Sequence, residues 1–303
     1  MLIPIKLPSQ TDTTIKGYHI RDFELSERCI LIESKPAKEI LTNHFLVSTP
    51  LVLYSREAVK DCIRFFFTFQ NVSCNPSEIV DVVPLSGSLT YDVYNAFYEL
   101  FQQPLQRNFI GIRRFQKSSG IWDTEVSYTN FEGLSHSTKV VLIGDTIATG
   151  ATITQIIRLV QAQLQAPTIF VIISIAGSLV GAKRLVKLEK TLQNTFPGTE
   201  IWCLFTEAYF GLEANGTDMP IFHPDTISTE SLKRLAHDKL GKILGRYLCS
   251  VLDWGKRTNS PLKHLSELRE TLERFSMDKK DEFYHIMLNE CNKHLSSFKE
   301  VSI

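Results

Sequence analysis

The sequence lacks the features that mark disulfide-stabilised, membrane-spanning and polyanion-binding proteins. Its six cysteines are scattered without a Cys-x-x-Cys pair, so we interpret them as reduced core residues of a cytoplasmic protein. Basic and acidic residues number 33 each, which predicts neither a nucleic-acid partner nor a membrane partner. No stretch approaches the ~18 apolar residues of a membrane-spanning helix, and no signal peptide is expected.

Metal-ligand spacing, internal repeats and low-complexity tracts are missing as well. The eight histidines do not cluster, so we predict no metal site built from protein side chains. With 303 residues, 43% of them hydrophobic and 22% charged, the chain can bury a full core as one large or two smaller domains. The composition indicates a soluble globular protein, and any function has to be inferred from motifs.

The most informative stretch is residues 139–154, which read KVVLIGDTIATGATIT. Residues 140–143 form an aliphatic run typical of a strand buried on both faces, and Asp145 ends this run. Apolar residues then recur at spacings of three and four, which predicts a helix from about Thr152. A tight turn between such a strand and helix leaves backbone N–H groups free to hold a phosphate. These elements predict an anion site with an acid beside it.

The order of residues in this stretch resembles the diphosphoribosyl (PRPP) signature of type I phosphoribosyltransferases, closest in layout to the uracil phosphoribosyltransferase branch. That signature has four aliphatics, an acidic pair, two or three residues, and Thr-Gly-x-Thr. The family usually has two acids where this chain has Gly144 and Asp145. The resemblance implies a catalytic role for Asp145 at the ribose and phosphate binding by Ala148, Thr149, Gly150, Ala151 and Thr152. An ordinary Rossmann-like strand-to-helix turn is the alternative.

A second strand, turn and helix precede this motif, where the family places its pyrophosphate loop. Residues 79–84 are a predicted strand. The resemblance assigns the pyrophosphate loop to Leu85, Ser86, Gly87 and Ser88. This loop lacks the basic residue that the family normally carries there, although backbone N–H groups and serine hydroxyls can still bind an anion.

Residues 108–114 form another predicted strand, which ends in two arginines. By resemblance, Arg114 is the catalytic cation that reaches the pyrophosphate, and Arg113 is the fallback. An exposed pair at a strand end is the structural alternative. The polar residues 116–137 follow, and a loop of ~20 residues inside a compact domain is uncommon unless it is functional. Its position implies a lid that closes over PRPP, with a plain surface hairpin as the alternative.

Residues 168–205 show the pattern of strand, helix and strand. With the preceding elements, this pattern predicts an α/β fold with a mainly parallel sheet flanked by helices. A loop containing Gly and Asp follows, where the uracil enzymes hold their base. The resemblance assigns base binding to Gly216, Thr217, Asp218 and Ile221. The repeated Gly-Asp pattern of those enzymes is absent, so uracil specificity is not carried across.

The chain divides into three predicted segments. Residues 1–54, in which 45–47 have the pattern of a short strand, are a possible hood over the active site. Residues 55–225 are the phosphoribosyltransferase-like α/β domain. Residues 226–303 carry three apolar stripes at helical spacing and form an α-helical extension for packing or dimerisation.

The resemblance implies a PRPP-dependent transferase that passes ribose 5-phosphate to a uracil-like nucleobase and releases pyrophosphate. It also implies Mg²⁺ bound mainly through PRPP, and a homodimer. A non-catalytic PRPP or nucleotide sensor that signals through the helical extension is the alternative, and Gly144 and Ser86 favour it. A phosphate hydrolase on a similar sheet is a third interpretation, for which we can name no nucleophile.

Overall fold

The computed structural model describes residues 1–7, 15–70, 74–116, 122–249, 254–276 and 282–299. Its strands, in chain order, are β1 (Leu2–Pro4), β2 (Gly17–Ile20), β3 (Cys29–Ile32), β4 (Ile79–Pro84), β5 (Gln106–Gln116), β6 (Trp122–Asn130), β7 (Val140–Gly144), β8 (Ile169–Ser174), β9 (Gly177–Ser178), β10 (Glu200–Thr206), β11 (Ala208–Phe210) and β12 (Ile227–Ser228). Within these ranges a nine-stranded sheet has the order β1-β2-β3-β10-β8-β7-β4-β5-β6, and a three-stranded sheet has the order β12-β11-β9.

The helices, in chain order, are α1 (Lys35–Thr42), α2 (Ser48–Gln70), α3 (Val93–Phe101), α4 (Ala151–Leu164), α5 (Leu179–Gln193), α6 (Glu230–Tyr247), α7 (Pro261–Ser276) and α8 (Glu282–Lys299). Short 3-10 turns lie at Pro76–Glu78 and Ser88–Thr90, and a π-helical turn lies at Trp254–Thr258. Among the described residues, no helix has the length and apolar character needed to cross a membrane.

The centre of the large sheet is parallel and buried on both faces. Strands β3, β10, β8, β7, β4 and β5 pair in parallel, whereas β1, β2 and β6 add antiparallel edges. One hydrophobic cluster joins the sheet to α1, α2, α3 and the C-terminal helices, and a second joins the other face to α4 and α5. Helices on both faces explain why β7 is an uninterrupted aliphatic run. The prediction of an α/β fold with a mainly parallel, helix-flanked sheet is confirmed.

The N-terminal segment is built into this sheet. It supplies β1, β2 and β3, and helix α2 runs through the expected boundary between 54 and 55. Residues 45–47, predicted as a strand, lie instead in the connection between α1 and α2. That strand prediction was wrong because Asn43 Oδ1 accepts a hydrogen bond from Phe45 N at 3.0 Å and closes a turn there.

Much of the stretch predicted as a polar loop over 116–137 is a strand. The residues of β6 pair antiparallel with β5, with Phe109 opposite Asn130 and Arg113 opposite Glu125. Thr124, Val126 and Tyr128 are residue types that favour strands. The antiparallel pair matches the surface hairpin that was the alternative to a lid, although residues 117–121 lie outside the described residues. A lid role for this stretch stays a prediction.

The C-terminal helices are tied to the α/β body by a buried carboxylate. Glu207 is fully buried and accepts hydrogen bonds from Ser34 N at 2.5 Å and Thr229 Oγ1 at 2.6 Å. Ser34 is the N-cap of α1 and Thr229 is the N-cap of α6. Burial raises the pKa of Glu207 to about 7. One acid thus positions the start of the helical extension against the N-terminal segment.

Candidate functional site

A cavity of about 860 Å³ lies where the carboxyl ends of β4 and β7 meet the C-terminal helices. Its first wall is the β7–α4 turn, residues 145–150, together with the start of α4. Its second wall includes residues 86–87, which follow β4, and residues 215–218. We call its third side the C-terminal wall, which comprises Tyr247, Leu248, Cys249, Lys256, Arg257, His264, Glu267, Leu268 and Thr271.

The β7–α4 turn packs backbone to backbone against the start of α5. Gly150 has a φ of 72°, and a Cβ there would lie 3.1 Å from the Gly181 carbonyl oxygen. A Cβ on Gly181 would lie 2.7 Å from the Ala148 carbonyl oxygen. Ser178 adds two hydrogen bonds, because its N donates to Ile147 O at 2.7 Å and its Oγ donates to Ala148 O at 2.5 Å. The two glycines let the turn sit close to α5, where Ser178 holds it.

The start of α4 offers N–H groups to the cavity. Thr154 N donates to Gly150 O at 3.0 Å, and Ala151 N donates to Thr149 Oγ1 at 3.4 Å. Within the described residues, the N–H groups of Thr149, Gly150 and Thr152 have no hydrogen-bond partner. All residues from 148 to 152 line the cavity. The residues assigned to phosphate binding therefore lie together at a helix N-terminus that can hold an anion.

Asp145 lies at the end of β7, beside the loop that follows β4. Its side chain is 6% exposed, and its Oδ1 accepts a hydrogen bond from Thr146 N at 2.9 Å. A Cβ on Gly87 would be 3.4 Å from the same Oδ1. Ser86 and Gly87 line the cavity, whereas the lining does not include the exposed Leu85 or the buried Ser88. The acid and part of the assigned pyrophosphate loop are thus brought together.

The missing second acid has a packing explanation. A Cβ on Gly144 would lie 2.8 Å from Tyr91 Cβ and 2.8 Å from Val93 Cγ2. Tyr91 is fixed there, because its hydroxyl accepts from Ile175 N at 3.2 Å and lies 3.2 Å from Thr146 Oγ1. Burial raises the pKa of Tyr91, so it remains a neutral phenol. An acidic side chain at position 144 would have to displace this tyrosine.

The residues assigned to the base lie on a tight loop against the β7–α4 turn. Asn215 Oδ1 accepts from Thr217 N at 2.9 Å and Asp218 N at 3.0 Å. A Cβ on Gly216 would be 3.4 Å from Thr149 Cγ2. Gly216, Thr217 and Asp218 line the cavity.

Two other assigned residues are not placed in the cavity. Ile221 is 2% exposed, belongs to the hydrophobic core and is not part of the lining. The side chain of Arg114 falls outside the described residues, so its catalytic role stays a prediction. Arg113 does line the cavity, but its side chain is 74% exposed and pairs with Glu125 at 3.0 Å.

The C-terminal wall brings in basic residues that sequence reasoning missed. Arg257 is buried, and its guanidinium donates to Ile40 O at 3.2 Å, Asn43 O at 2.8 Å and Leu46 O at 2.9 Å. Burial lowers its pKa to about 10. The pair at 256–257 was the one visible signal, and its partners lie more than 200 positions away in the chain.

Two histidines that line the cavity each donate a hydrogen bond to a backbone carbonyl oxygen. His44 Nε2 donates to Cys249 O at 3.3 Å, and His264 Nε2 donates to His44 O at 2.9 Å. Burial, followed by the charge of Arg257, lowers the pKa of His44 to about 3 and that of His264 to about 4. Both imidazoles are neutral at neutral pH, so the positive charge of this wall comes from Lys256 and Arg257.

The oxygen donors near the β7–α4 turn suit Mg²⁺ carried by a phosphate ligand. The Asp145 carboxylate and the Thr149 hydroxyl are the hard ligands that this ion prefers, and Mg²⁺ usually keeps waters and substrate phosphates as its other ligands. In the described parts of the chain, no group of three or more His, Cys, Asp or Glu could hold a metal ion. Such an ion would therefore depend on the phosphate ligand for most of its coordination, with Asp145 able to add one carboxylate.

Comparisons with known proteins add little to this geometry. A scan of protein-family models and a search of curated proteins each found no match. Among solved structures, the chain is similar to a hypoxanthine phosphoribosyltransferase from Staphylococcus aureus. The identity is 15%, the TM-score is 0.31, and the match covers 50% of this chain and 73% of that chain. The likeness is weak and does not establish a family or an activity.

Proposed function

We propose that this protein is a PRPP-dependent phosphoribosyltransferase that transfers ribose 5-phosphate to a uracil-like nucleobase and releases pyrophosphate. One observation carries the proposal: Asp145 lies beside Gly87 and shares one cavity with the N–H groups of Thr149, Gly150 and Thr152, which have no partner among the described residues. Helix N–H groups bind a phosphate, and a carboxylate accepts hydrogen bonds from sugar hydroxyls. This combination suits a sugar phosphate better than a plain anion.

Each part of PRPP then has a proposed binding region. The 5-phosphate binds residues 148–152, the ribose hydroxyls bind Asp145, and the pyrophosphate lies along residues 86–87. The nucleobase lies against residues 216–218. A cavity of about 860 Å³ is large enough for these groups, since ligand sites commonly span about 300–1,000 Å³.

The proposed reaction is a displacement at the anomeric carbon of the ribose. A ring nitrogen of the base forms the new bond while the bond to pyrophosphate breaks, and positive charge develops on the sugar. Asp145 stabilises that charge from its fixed position, and the β7–α4 turn holds the sugar in line with the base. Mg²⁺, when bound, lowers the charge on the leaving pyrophosphate. The homodimer implied by the family and the cytoplasmic location inferred from the scattered cysteines belong to the same proposal.

A non-catalytic sensor of PRPP or a nucleotide is the second candidate. The tight packing of Tyr91 against Gly144 favours it, because this packing removes the second acid of the family. The serines in the loop at 85–88 favour it too. In this case the C-terminal wall, which contributes directly to the cavity, would carry the signal to a partner.

The test is release of pyrophosphate from PRPP and Mg²⁺ across a panel of pyrimidines and purines, with wild type and Asp145→Asn. Asparagine can still accept from Thr146 N but carries no charge. We expect base-dependent release by the wild type, reduced about 10- to 100-fold in the variant, which is the value of a hydrogen bond to a charged group. Binding without release for any base would favour the sensor, and no PRPP binding would contradict both candidates.

A further inference from the structure

The described cations of the cavity differ in how their charges are compensated. Arg113 pairs with Glu125 at 3.0 Å, and Lys256 pairs with Glu267 at 2.9 Å. Arg257 forms no ion pair within the described residues, and its guanidinium donates there to the carbonyl oxygens of Ile40, Asn43 and Leu46. The C-terminal wall therefore holds a positive charge that no carboxylate of the described residues neutralises.

The burial of Arg257 raises the energetic cost of its uncompensated charge. Arg257 is 3% exposed, and its Nε has no hydrogen-bond partner among the residues described. A buried cation without an acidic partner is unfavourable unless other groups compensate it. The carbonyl oxygens of Ile40 and Asn43, at the C-terminal end of α1, give part of that compensation through the negative end of the helix dipole. An anion in the cavity would give the rest.

The position of Arg257 connects it with the loop that lacks a basic residue. The next residue, Thr258, has its Oγ1 3.0 Å from Thr90 Oγ1. Thr90 N in turn donates to Gly87 O at 3.3 Å. Ser86, Gly87, Lys256 and Arg257 all line the same cavity. The π-helical turn at 254–258 is thus connected, through Thr90, to Gly87 in the segment where the pyrophosphate is proposed to bind.

We propose that Arg257, with Lys256 beside it, forms a cationic subsite for an oxyanion group of the ligand and replaces the basic residue missing from residues 85–88. This inference rests on the proposed function, in which the oxyanion is the diphosphate of PRPP. A carboxylate on the nucleobase is a second source of the same chemistry. In either case the helical extension completes the ligand site, beyond any role in packing.

The ion pair of Lys256 with Glu267 offers a matched test, because substitutions of the two residues should change ligand affinity in opposite directions. Binding of Mg²⁺-pyrophosphate, PRPP and ribose 5-phosphate is measured by calorimetry. Lys256→Met should weaken pyrophosphate and PRPP about fivefold, whereas Glu267→Gln should strengthen both about threefold by removing a competing negative charge. Ribose 5-phosphate, which lacks the diphosphate, should change less than about twofold. A purely structural ion pair would move both variants in the same direction.

Arg257 itself is tested with two substitutions. Arg257→Met should weaken pyrophosphate binding at least about tenfold, and Arg257→Lys should retain part of the affinity because the charge remains. Unfolding in urea checks that each variant is folded. If Arg257→Met does not fold, Lys256→Met and Glu267→Gln still decide the matter.

Uracil and its 6-carboxylate, orotate, distinguish the two sources of the oxyanion. Suppose that Lys256→Met weakens the binding of orotate and leaves the binding of pyrophosphate and uracil unchanged. That result would support the subsite and would place its oxyanion on the acceptor base. Unchanged affinity for both pyrophosphate and orotate in Lys256→Met and Glu267→Gln would overturn the inference. Turnover in these variants at the wild-type rate and with wild-type substrate affinity would also overturn the inference, but it would leave the proposed function intact. Altered pyrophosphate binding without turnover for any base would contradict the proposed function alone.

Discussion

The β7–α4 turn and the C-terminal wall line the same cavity but are built in different ways. The turn is one continuous segment, and most of its bonds are to residues within about 30 positions. The wall is held by bonds across the length of the chain, since Arg257 reaches Ile40 over 217 positions and His264 reaches His44 over 220. A short motif can encode the first kind of site, whereas the second depends on the whole fold.

This difference predicts different consequences of substitution. The turn is held by close backbone contact at its glycines, so polar changes at its surface should alter ligand binding and leave stability nearly unchanged. The wall is positioned by buried polar groups, so changes at those groups should alter stability as well.

The largest effect is expected at Glu207, which joins the helical extension to the body. Glu207→Ala leaves Ser34 N and Thr229 Oγ1 without their buried acceptor. We expect it to lower the free energy of unfolding by about 3–5 kcal/mol, as measured in urea. Glu207→Gln is the matched control and should cost less, because its amide oxygen can still accept one of the two hydrogen bonds. A loss below about 1 kcal/mol for the alanine variant would contradict this anchoring role.

Next in size is Gly144, the packed position on the side of the turn. Gly144→Ala should lower the free energy of unfolding by about 1–3 kcal/mol, because the new methyl group meets Tyr91 and Val93 at 2.8 Å. Gly87→Ala is the control, since a Cβ there has only an ordinary contact of 3.4 Å with Asp145. Equal stability of the two variants in urea would show that packing does not exclude a side chain at 144.

A pH effect of similar or smaller size is expected at His44, which bonds to the wall through Cys249 O. The folded-state pKa of His44 is about 3, below the ordinary value near 6.5, so folding opposes its protonation. The stability is complete above pH 6.5 and falls as the pH drops from 6.5 towards 3. Lowering the pH to 5 should cost about 2 kcal/mol through this residue.

His44→Gln can keep the hydrogen bond to Cys249 O and does not titrate. Unfolding in urea at pH 7 and pH 5 should therefore show a smaller acid-induced loss in the variant than in the wild type. The same loss in both proteins would mean that His44 does not limit stability in acid.

The smallest effect is expected at Arg113, on the rim of the cavity. Its pair with Glu125 is exposed on both sides, and exposed ion pairs contribute about 0–1 kcal/mol. Arg113→Gln should change the free energy of unfolding by less than about 0.5 kcal/mol and PRPP affinity by less than about fivefold. A loss of affinity above tenfold in calorimetry would make Arg113 the cation that sequence reasoning assigned first to Arg114.

The sequence predicted the elements whose signal is local. The aliphatic run at 140–143 is a buried strand, and the helix expected from Thr152 begins at Ala151. The sequence did not separate a loop from a hairpin at 116–137, because polar residues on an exposed edge pair as readily as they form loops. It also placed Ile221 at the base, whereas this residue packs in the core.

The wall could not be predicted for a physical reason. The residues at 256–257 are an unremarkable basic pair until folding brings Arg257 against the end of α1 and His264 against His44. Such contacts depend on where the extension docks, which Glu207 and Thr229 decide. No local periodicity encodes that docking.

The most direct test of the central claim is calorimetric titration of PRPP with Mg²⁺ into wild type and Asp145→Asn. We expect saturable binding by the wild type and an affinity about 10- to 100-fold lower in the variant, with unchanged stability in urea. An absence of binding by the wild type, or equal affinity in the two proteins, would contradict a PRPP site at the end of β7.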